Sequence, residues 1–324
     1  MNEIWKESPE IIYRFLLYMQ TVKGKSEKTI NEYFFDLRTF FRFVKFNKFY
    51  SNKKIIFEEI SIQDLSIDLI KSIKFLDVLE YINYLAKERG NRASSRSRKI
   101  SSLRSFFGYL TIKIKVLDEN PVIELETPKI KKALPKFLNL QESQNFLDTI
   151  KQHGCKTARR DYCMAVLFLN CGLRLSELVG INIQDLGDDD TLRVLGKGNK
   201  ERIIYINKFC KDSIDNYKTI NRNSKGALFL SRGNQRISTK TVQFLMKKYF
   251  KLAGLGNRGF STHKLRHTAA TLMYQHGGAD IRVLKEILGH ENIATTEVYT
   301  HTCVEQIKKA IQNNPLSNSR NLPK

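Results

Sequence analysis

Six side chains in the C-terminal half have types and intervals that suit one kind of chemistry. Arg174 and Glu177 stand in Arg174-Leu175-Ser176-Glu177-Leu178, and His263 and Arg266 stand in His263-Lys264-Leu265-Arg266. His290 closes Leu288-Gly289-His290, and Tyr299 follows nine residues later. Together they offer one phenol, two guanidiniums, two imidazoles and a carboxylate. A metal-free attack on a phosphodiester needs a nucleophile, stabilisation of charge on two non-bridging oxygens, and a proton for the leaving oxygen. If these side chains converge, the chain has those parts. If they do not, it is an ordinary basic helical protein.

Arginine suits the middle task because its planar fork matches phosphate geometry and keeps its charge. His263 and Arg266 are three apart and so share one helical face. A solvated helix face is the competing reading of an isolated H-x-x-R. Lys197 lies between Gly196 and Gly198, in a turn whose glycines allow a backbone to approach a ligand closely. A surface hairpin lysine is the competing reading there. Glu177 is one helical turn from Arg174 and is placed to hold its guanidinium; otherwise it is a surface pair worth roughly a few tenths of a kcal/mol.

The elements that must position these groups follow from periodicity. Residues 10–50 predict two helices, broken at 22–26, with Ser26 or Thr29 as the cap of the second. The stripe Tyr33, Leu37, Phe40, Phe41 and Val44 has helical spacing and predicts core rather than base stacking. Further helices are expected over about 73–87 and 92–113. In the second half, helices over about 141–151 and 159–171 precede Gly172, a C′ residue that fits a helix end. Residues 175–179 form a short helix. Two β-rich runs, Leu192 to Leu195 and Ile203 to Ile206, flank the Lys197 turn as a hairpin, and Leu228-Phe229-Leu230 is a candidate third strand. From Thr239 to about Gln312 the pattern is helical, broken at 254–259, 277–278 and 289.

Composition narrows the class of partner. The 324 residues suffice for two domains, and the net charge of +22 favours a polyanion, nucleic acid before a membrane surface. No apolar run approaches the roughly 18 residues of a spanning helix, and the N-terminus lacks a signal-peptide pattern. These features predict a soluble, cytoplasmic protein with no membrane partner. Five cysteines without a Cys-x-x-Cys pair predict no disulfide framework, and Cys163 and Cys171 read as core. Over 86–115, nine cations face the single acid Glu88. Arg92, Arg96, Arg98 and Lys99 crowd the start of an amphipathic helix, Arg104 follows, and interspersed serines let a backbone come close. Arginine and serine facing outward suit phosphate contact; a solvated basic helix is the alternative. Residues 118–138 carry Pro121, Pro128 and Pro135 with Lys131 and Lys132 between them, which predicts an extended basic linker.

These boxes and their intervals resemble the tyrosine recombinases, or phage-type integrases. Cys171-Gly172-Leu173-Arg174-Leu175-Ser176-Glu177-Leu178 is similar to the family's first arginine box, and Gly196-Lys197-Gly198-Asn199-Lys200-Glu201-Arg202 to its hairpin lysine motif. His263-Lys264-Leu265-Arg266-His267-Thr268-Ala269-Ala270-Thr271 resembles the second arginine box. Leu288-Gly289-His290 and Tyr299 have the terminal spacing. In the N-terminal half, Thr29-Ile30-Asn31-Glu32-Tyr33 with Asp36-Leu37, and residues 98–107, resemble the core-binding domain of two-domain Xer-type members.

The resemblance implies a mainly α (α+β) chain: a helical core-binding domain at 1–115, a basic linker at 116–136, and a mostly helical catalytic domain at 137–324 with a small antiparallel sheet. Together they would form a C-shaped DNA clamp. It implies site-specific recombination through a 3′-phosphotyrosine, in chromosome dimer resolution or in integration and excision of a mobile element. Tyr299 would be the nucleophile, with Arg174 and Arg266 clamping the phosphate, His263 accepting the Tyr299 proton and His290 hydrogen-bonding the phosphate. Lys197 would protonate the leaving 5′ oxygen and Glu177 would position the site. Arg92, Arg96, Arg98, Lys99, Arg104, Lys131 and Lys132 are the candidate DNA contacts. No metal and no cofactor are implied. The expected partners are duplex DNA and a homotetramer on two sites, joined through a C-terminal helix bearing Val304, Ile307 and Ile311, with an accessory DNA translocase or second recombinase as a further candidate.

Three rivals compete. A metallohydrolase would use His263 and His267 as an i, i+4 zinc pair, but Lys264 stands where H-E-x-x-H has glutamate; Asp188-Asp189-Asp190 reads as a solvated turn. A non-catalytic DNA-binding protein explains the basic helices but not the Tyr299 set. A type IB topoisomerase shares the chemistry but not the Xer-like N-terminal half.

Overall fold

The three- and four-residue spacing of apolar side chains over 10–50 produces two helices, α1 (Glu10–Thr21) and α2 (Glu27–Lys45). The computed structural model describes Trp5 and residues 8–51, 53–128, 136–153, 157–196, 201–219 and 226–289. The chain divides into two compact units, Met1–Lys132 and Ala133–Lys324.

In the first unit Ser26 caps α2, its hydroxyl accepting from the Thr29 N–H at 3.4 Å. Three further helices complete it: α3 (Ile67–Lys71), α4 (Phe75–Lys87) and α5 (Ala93–Gly108). The expected helix to 113 is α-helical only to Gly108 and continues as a wider π turn over Tyr109–Lys113. The aromatic stripe of α2 is core: Phe40 meets Tyr81 and Phe107 edge-on, with ring centroids at 5.1 and 6.0 Å. The first part of the segment expected as linker packs onto this unit. Leu117, Val122 and Leu125 are buried in this same core, because three apolar side chains gain more from burial than from extension into water.

The basic start of α5 is also tied into the unit. Its Arg98, Lys99 and Ser102 do not face solvent alone; they converge on Asp36 of α2, which is 1% exposed. Arg98 grips that carboxylate with both Nη atoms at 2.6 and 2.8 Å, Lys99 Nζ donates at 2.8 Å and Ser102 Oγ at 2.7 Å. A buried carboxylate requires such partners. Arg104 is likewise turned to the Leu125 carbonyl. Arg98 keeps 44% of its side chain exposed. Asp36→Ala should therefore lower the unfolding free energy by about 2–3 kcal/mol, read as the urea midpoint at constant slope. A loss below about 0.5 kcal/mol would mean that the cations are simply solvated.

The second unit is built on α7 (Ala158–Cys171), whose residues Cys163 to Phe168 are all inaccessible. Around it lie α6 (Leu140–His153), α8 (Leu175–Gly180), α9 (Lys208–Lys218), α10 (Thr239–Leu252), α11 (Thr262–His276) and α12 (Ile281–Leu288). Cys163 and Cys171 are core, as expected, and burial pushes the Cys163 thiol well above its ordinary range. Strands β1 (Thr191–Leu195) and β2 (Glu201–Tyr205) pair antiparallel, Val194 opposite Arg202. The candidate third strand is not one. Residues 227 and 230 make only isolated bridges, to Asn182 and Arg236, while Leu228 and Phe229 are both inaccessible. A segment enclosed on both sides can satisfy its backbone by single bonds, such as Leu228 N–H to Ile181 at 2.9 Å. Helix α9 was not foreseen: Cys210, Ile214 and Tyr217 form its buried stripe within an otherwise charged segment, capped by Asn207. No helix among the described residues is long and apolar enough to cross a membrane.

Candidate active site

The site begins where α7 ends. Gly172 adopts the left-handed conformation, φ 59°, and stops the helix. A Cβ there would lie 2.7 Å from Leu288 Cδ2, so the same glycine admits α12. Two residues later Arg174 is the N-cap of α8. Its backbone N–H donates to Glu177 Oε2 at 2.7 Å, and its Nη1 donates to Oε1 at 2.6 Å.

Glu177 does far more than hold Arg174. Its side chain is 0% exposed, and three guanidiniums share it. Arg202 of β2 forms an end-on fork, Nη1 to Oε1 at 2.6 Å and Nη2 to Oε2 at 3.0 Å. Arg266 of α11 is 3.8 Å away. Burial works against the charged form of Glu177, but the Arg202 fork and the Arg174 N–H outweigh it and hold the carboxyl below its ordinary range.

Arg266 is 3% exposed, on a helix face of small residues that includes Ala269 and Ala270. Its Nη1 donates to the Gly172 carbonyl at 2.8 Å and its Nη2 to the Leu288 carbonyl at 2.5 Å. Arg174 Nη2 takes the next carbonyl, Gly289, at 2.7 Å. Two consecutive carbonyls at the end of α12 are thus held by the two arginines, where a helix leaves carbonyls unpaired and favours positive charge. Gly289 caps α12 in the left-handed region, φ 61°. His290 is the next residue in sequence.

His263 opens α11, with its Nε2 3.0 Å from Nε2 of His267. Part of its ring is open to solvent, but desolvation of the rest, and then the charges of Arg266, Lys264 and Arg174, depress its pKa below the ordinary imidazole range. A neutral imidazole at neutral pH can accept a proton. The His263–His267 pair gains no third ligand: among the described residues no three His, Cys, Asp or Glu side chains gather as a metal site. Asp188, Asp189 and Asp190 are exposed, and Asp190 pairs with Lys211.

Arg174, Glu177 and Arg266 are therefore brought together, with His263 in the same charged environment. Lys197, His290 and Tyr299 lie outside the described residues, as do Lys131, Lys132 and the C-terminal helix carrying Val304, Ile307 and Ile311. Among the other candidate DNA contacts, Arg92 is the N-cap of α5 and Arg96 donates to the Asn91 carbonyl. Arg202 carried no assigned role in the sequence. Its signal was strand alternation: Arg202 shares a face with buried Ile204, and an inward charge on a strand calls for a carboxylate.

One carboxylate balancing three guanidiniums leaves a net positive site, the environment of an anion-handling enzyme. The comparisons define the class. Residues 136–306 match the Phage integrase family and residues 12–113 the Phage integrase N-terminal SAM-like domain. The chain belongs to the phage integrase family and is a tyrosine recombinase, an enzyme that breaks and rejoins DNA strands. It is 47% identical over 313 residues to tyrosine recombinase XerC of Caldanaerobacter subterraneus subsp. tengcongensis, covering 95% of this chain and 88% of the relative. It is 31% identical over 305 residues to XerC of Leptospira interrogans, covering 93% and 91%. Its fold is similar to that of the Tn1549 transposon integrase in complex with circular intermediate DNA, at TM-score 0.69 and 18% identity over 95% of this chain and 100% of the other. It is also similar to XerH bound to a difH substrate after cleavage, at TM-score 0.66 and 19% identity over 95% and 97%.

Proposed function

We propose that this recombinase acts at a specific duplex site with Tyr299 as its nucleophile. The Tyr299 oxygen attacks the scissile phosphorus as the bond to the 5′ oxygen breaks. His263 takes the phenolic proton and Lys197 gives a proton to the leaving oxygen. Arg174 and Arg266 neutralise the non-bridging oxygens and His290 adds a hydrogen bond. The phosphotyrosine diester keeps the bond energy, so the released 5′ hydroxyl can reverse the step without ATP. Glu177 holds the arginines in place. The observation that carries this reading is the fastening of Arg266 and Arg174 to the consecutive carbonyls of Leu288 and its cap Gly289, directly before His290, which precedes Tyr299 by nine residues.

The protein works as a homotetramer on two sites in the cytoplasm, and both its helical domain at 1–115 and its catalytic domain at 137–324 contact the duplex. Its recombination serves either chromosome dimer resolution or the integration and excision of a mobile element. The test is covalent trapping on nicked duplex fragments of genomic DNA, followed by sequencing of the attached strand. Adducts should form at one recurrent sequence, and excess EDTA should leave their rate unchanged within about twofold, because guanidiniums rather than a metal carry the phosphate charge. Loss in EDTA with recovery on adding a divalent cation would overturn the metal-free mechanism.

A further inference from the structure

Arg202 touches three of the segments that assemble the site. It springs from β2, the strand that follows the Lys197 turn. Its fork is closed on Glu177, the residue that holds Arg174. Its side chain also packs against the α12 cap: a Cβ on Gly289 would meet Arg202 Nη1 at 2.8 Å, Cδ at 3.1 Å and Cζ at 3.2 Å. The side chain is only 15% exposed, and its Nε is buried without an acceptor among the described residues.

The distances rank how Glu177 distributes its charge. Arg202 makes the two-bond fork, the Arg174 side chain makes one bond, and Arg266 stays at 3.8 Å. A fork-to-fork pair is the strongest and most directional of these arrangements. With Arg202 closed on the carboxylate, one negative charge is divided among three guanidiniums, and Arg174 and Arg266 keep part of their positive charge. Without Arg202, the same carboxylate would turn on Arg174, which already reaches it and is the more exposed of the two at 33%.

We propose that Arg202 is a positioning residue of the strand-transfer site: it occupies the Glu177 carboxylate so that Arg174 and Arg266 stay available to a phosphate, and it anchors β2 against Glu177 and Gly289. It does not itself touch the phosphate. The proposal rests on the assignment of Arg174 and Arg266 as the phosphate clamp.

The experiment compares single-turnover adduct formation, with saturating nicked duplex, on a normal scissile phosphate and on a methylphosphonate, which has lost one non-bridging charge. Wild type, Arg202→Ala, Glu177→Gln and the double variant are measured, with thermal melts to confirm folding. Arg202→Ala should slow cleavage of the phosphodiester by at least about 30-fold, and of the methylphosphonate by less than about threefold, because the deficit lies in charge stabilisation. Adding Glu177→Gln should restore the phosphodiester rate by about fivefold or more, since the competing carboxylate is then gone. Equal losses on the two substrates, or a double variant no faster than Arg202→Ala, would overturn the proposal in favour of a purely structural ion pair. If Arg202→Ala fails to fold, Arg202→Lys decides by the same ratio: it keeps the charge but lacks the fork, and its loss should be at least about threefold greater on the phosphodiester. No adduct from wild type on either substrate would instead defeat the proposed strand-transfer mechanism with Arg174 and Arg266 as its phosphate clamp.

Discussion

Tyr299→Phe is expected to abolish the covalent protein–DNA adduct while leaving DNA binding intact. The substitution removes one oxygen and nothing else, so a residual rate would have to come from another nucleophile. The described part of the site offers none: its groups are guanidiniums, a carboxylate held below its ordinary range between three arginines, and an imidazole pair. Loss of a nucleophile typically costs about 10⁴-fold or more, which in a gel assay on a nicked suicide substrate reads as no adduct. Affinity should change by less than about twofold, because binding derives from a chain of net charge +22 rather than from one phenol. An adduct that survives in Tyr299→Phe would remove Tyr299 from the mechanism, and mapping the attached peptide would show which residue replaces it.

Arg266→Ala should have the second largest effect, and on two observables at once. The cleavage rate at saturating DNA should fall by about 10³-fold or more, the scale on which arginines act in phosphoryl transfer. Stability should fall as well, by about 2–4 kcal/mol. The Gly172 and Leu288 carbonyls both lose their donor, and Glu177 loses one of its three cations. Arg266→Lys should not rescue the rate. An ammonium has no planar fork to span two carbonyls and still face a phosphate. Rates measured well below the melting temperature separate the chemical loss from unfolding. A lysine variant with more than about a tenth of wild-type activity would show that charge alone suffices. Arg174→Ala makes the contrast: at 33% exposure it contributes less to the core, so its loss of rate should come with a smaller loss of stability.

Much of this was legible along the chain. The aromatic stripe of α2 and the unbroken apolar run of α7 had one outcome each, because a helix with an apolar face that wide must bury it. Gly172 marked a helix end because left-handed backbone is cheap only for glycine. Arg174, Glu177, His263 and Arg266 stood out by type and interval. Other elements were hidden. The stripe of α9 is three residues among charges, too sparse to separate from a loop. Leu228 and Phe229 have the composition of a strand but lie where no neighbouring strand offers a ladder. The cations of α5 looked like a uniform phosphate-facing set, yet Asp36, some sixty positions earlier, claims two of them.

The same division runs through the site. Local order along the chain settled which side chains are present, which share a helical turn and where helices stop, since capping, periodicity and glycine conformation act over a few residues. Pairing across long separations was settled by the fold. Glu177 reads locally as a partner for Arg174 three residues away, and folding gives it Arg202 and Arg266 as well. The tertiary structure also sets which carbonyls the arginines hold, because Leu288 and Gly289 become acceptors only when the end of α12 is brought to α7, α8 and α11. A buried charge takes whichever partner lies within reach, and in this protein the packing of helices and hairpin sets that reach.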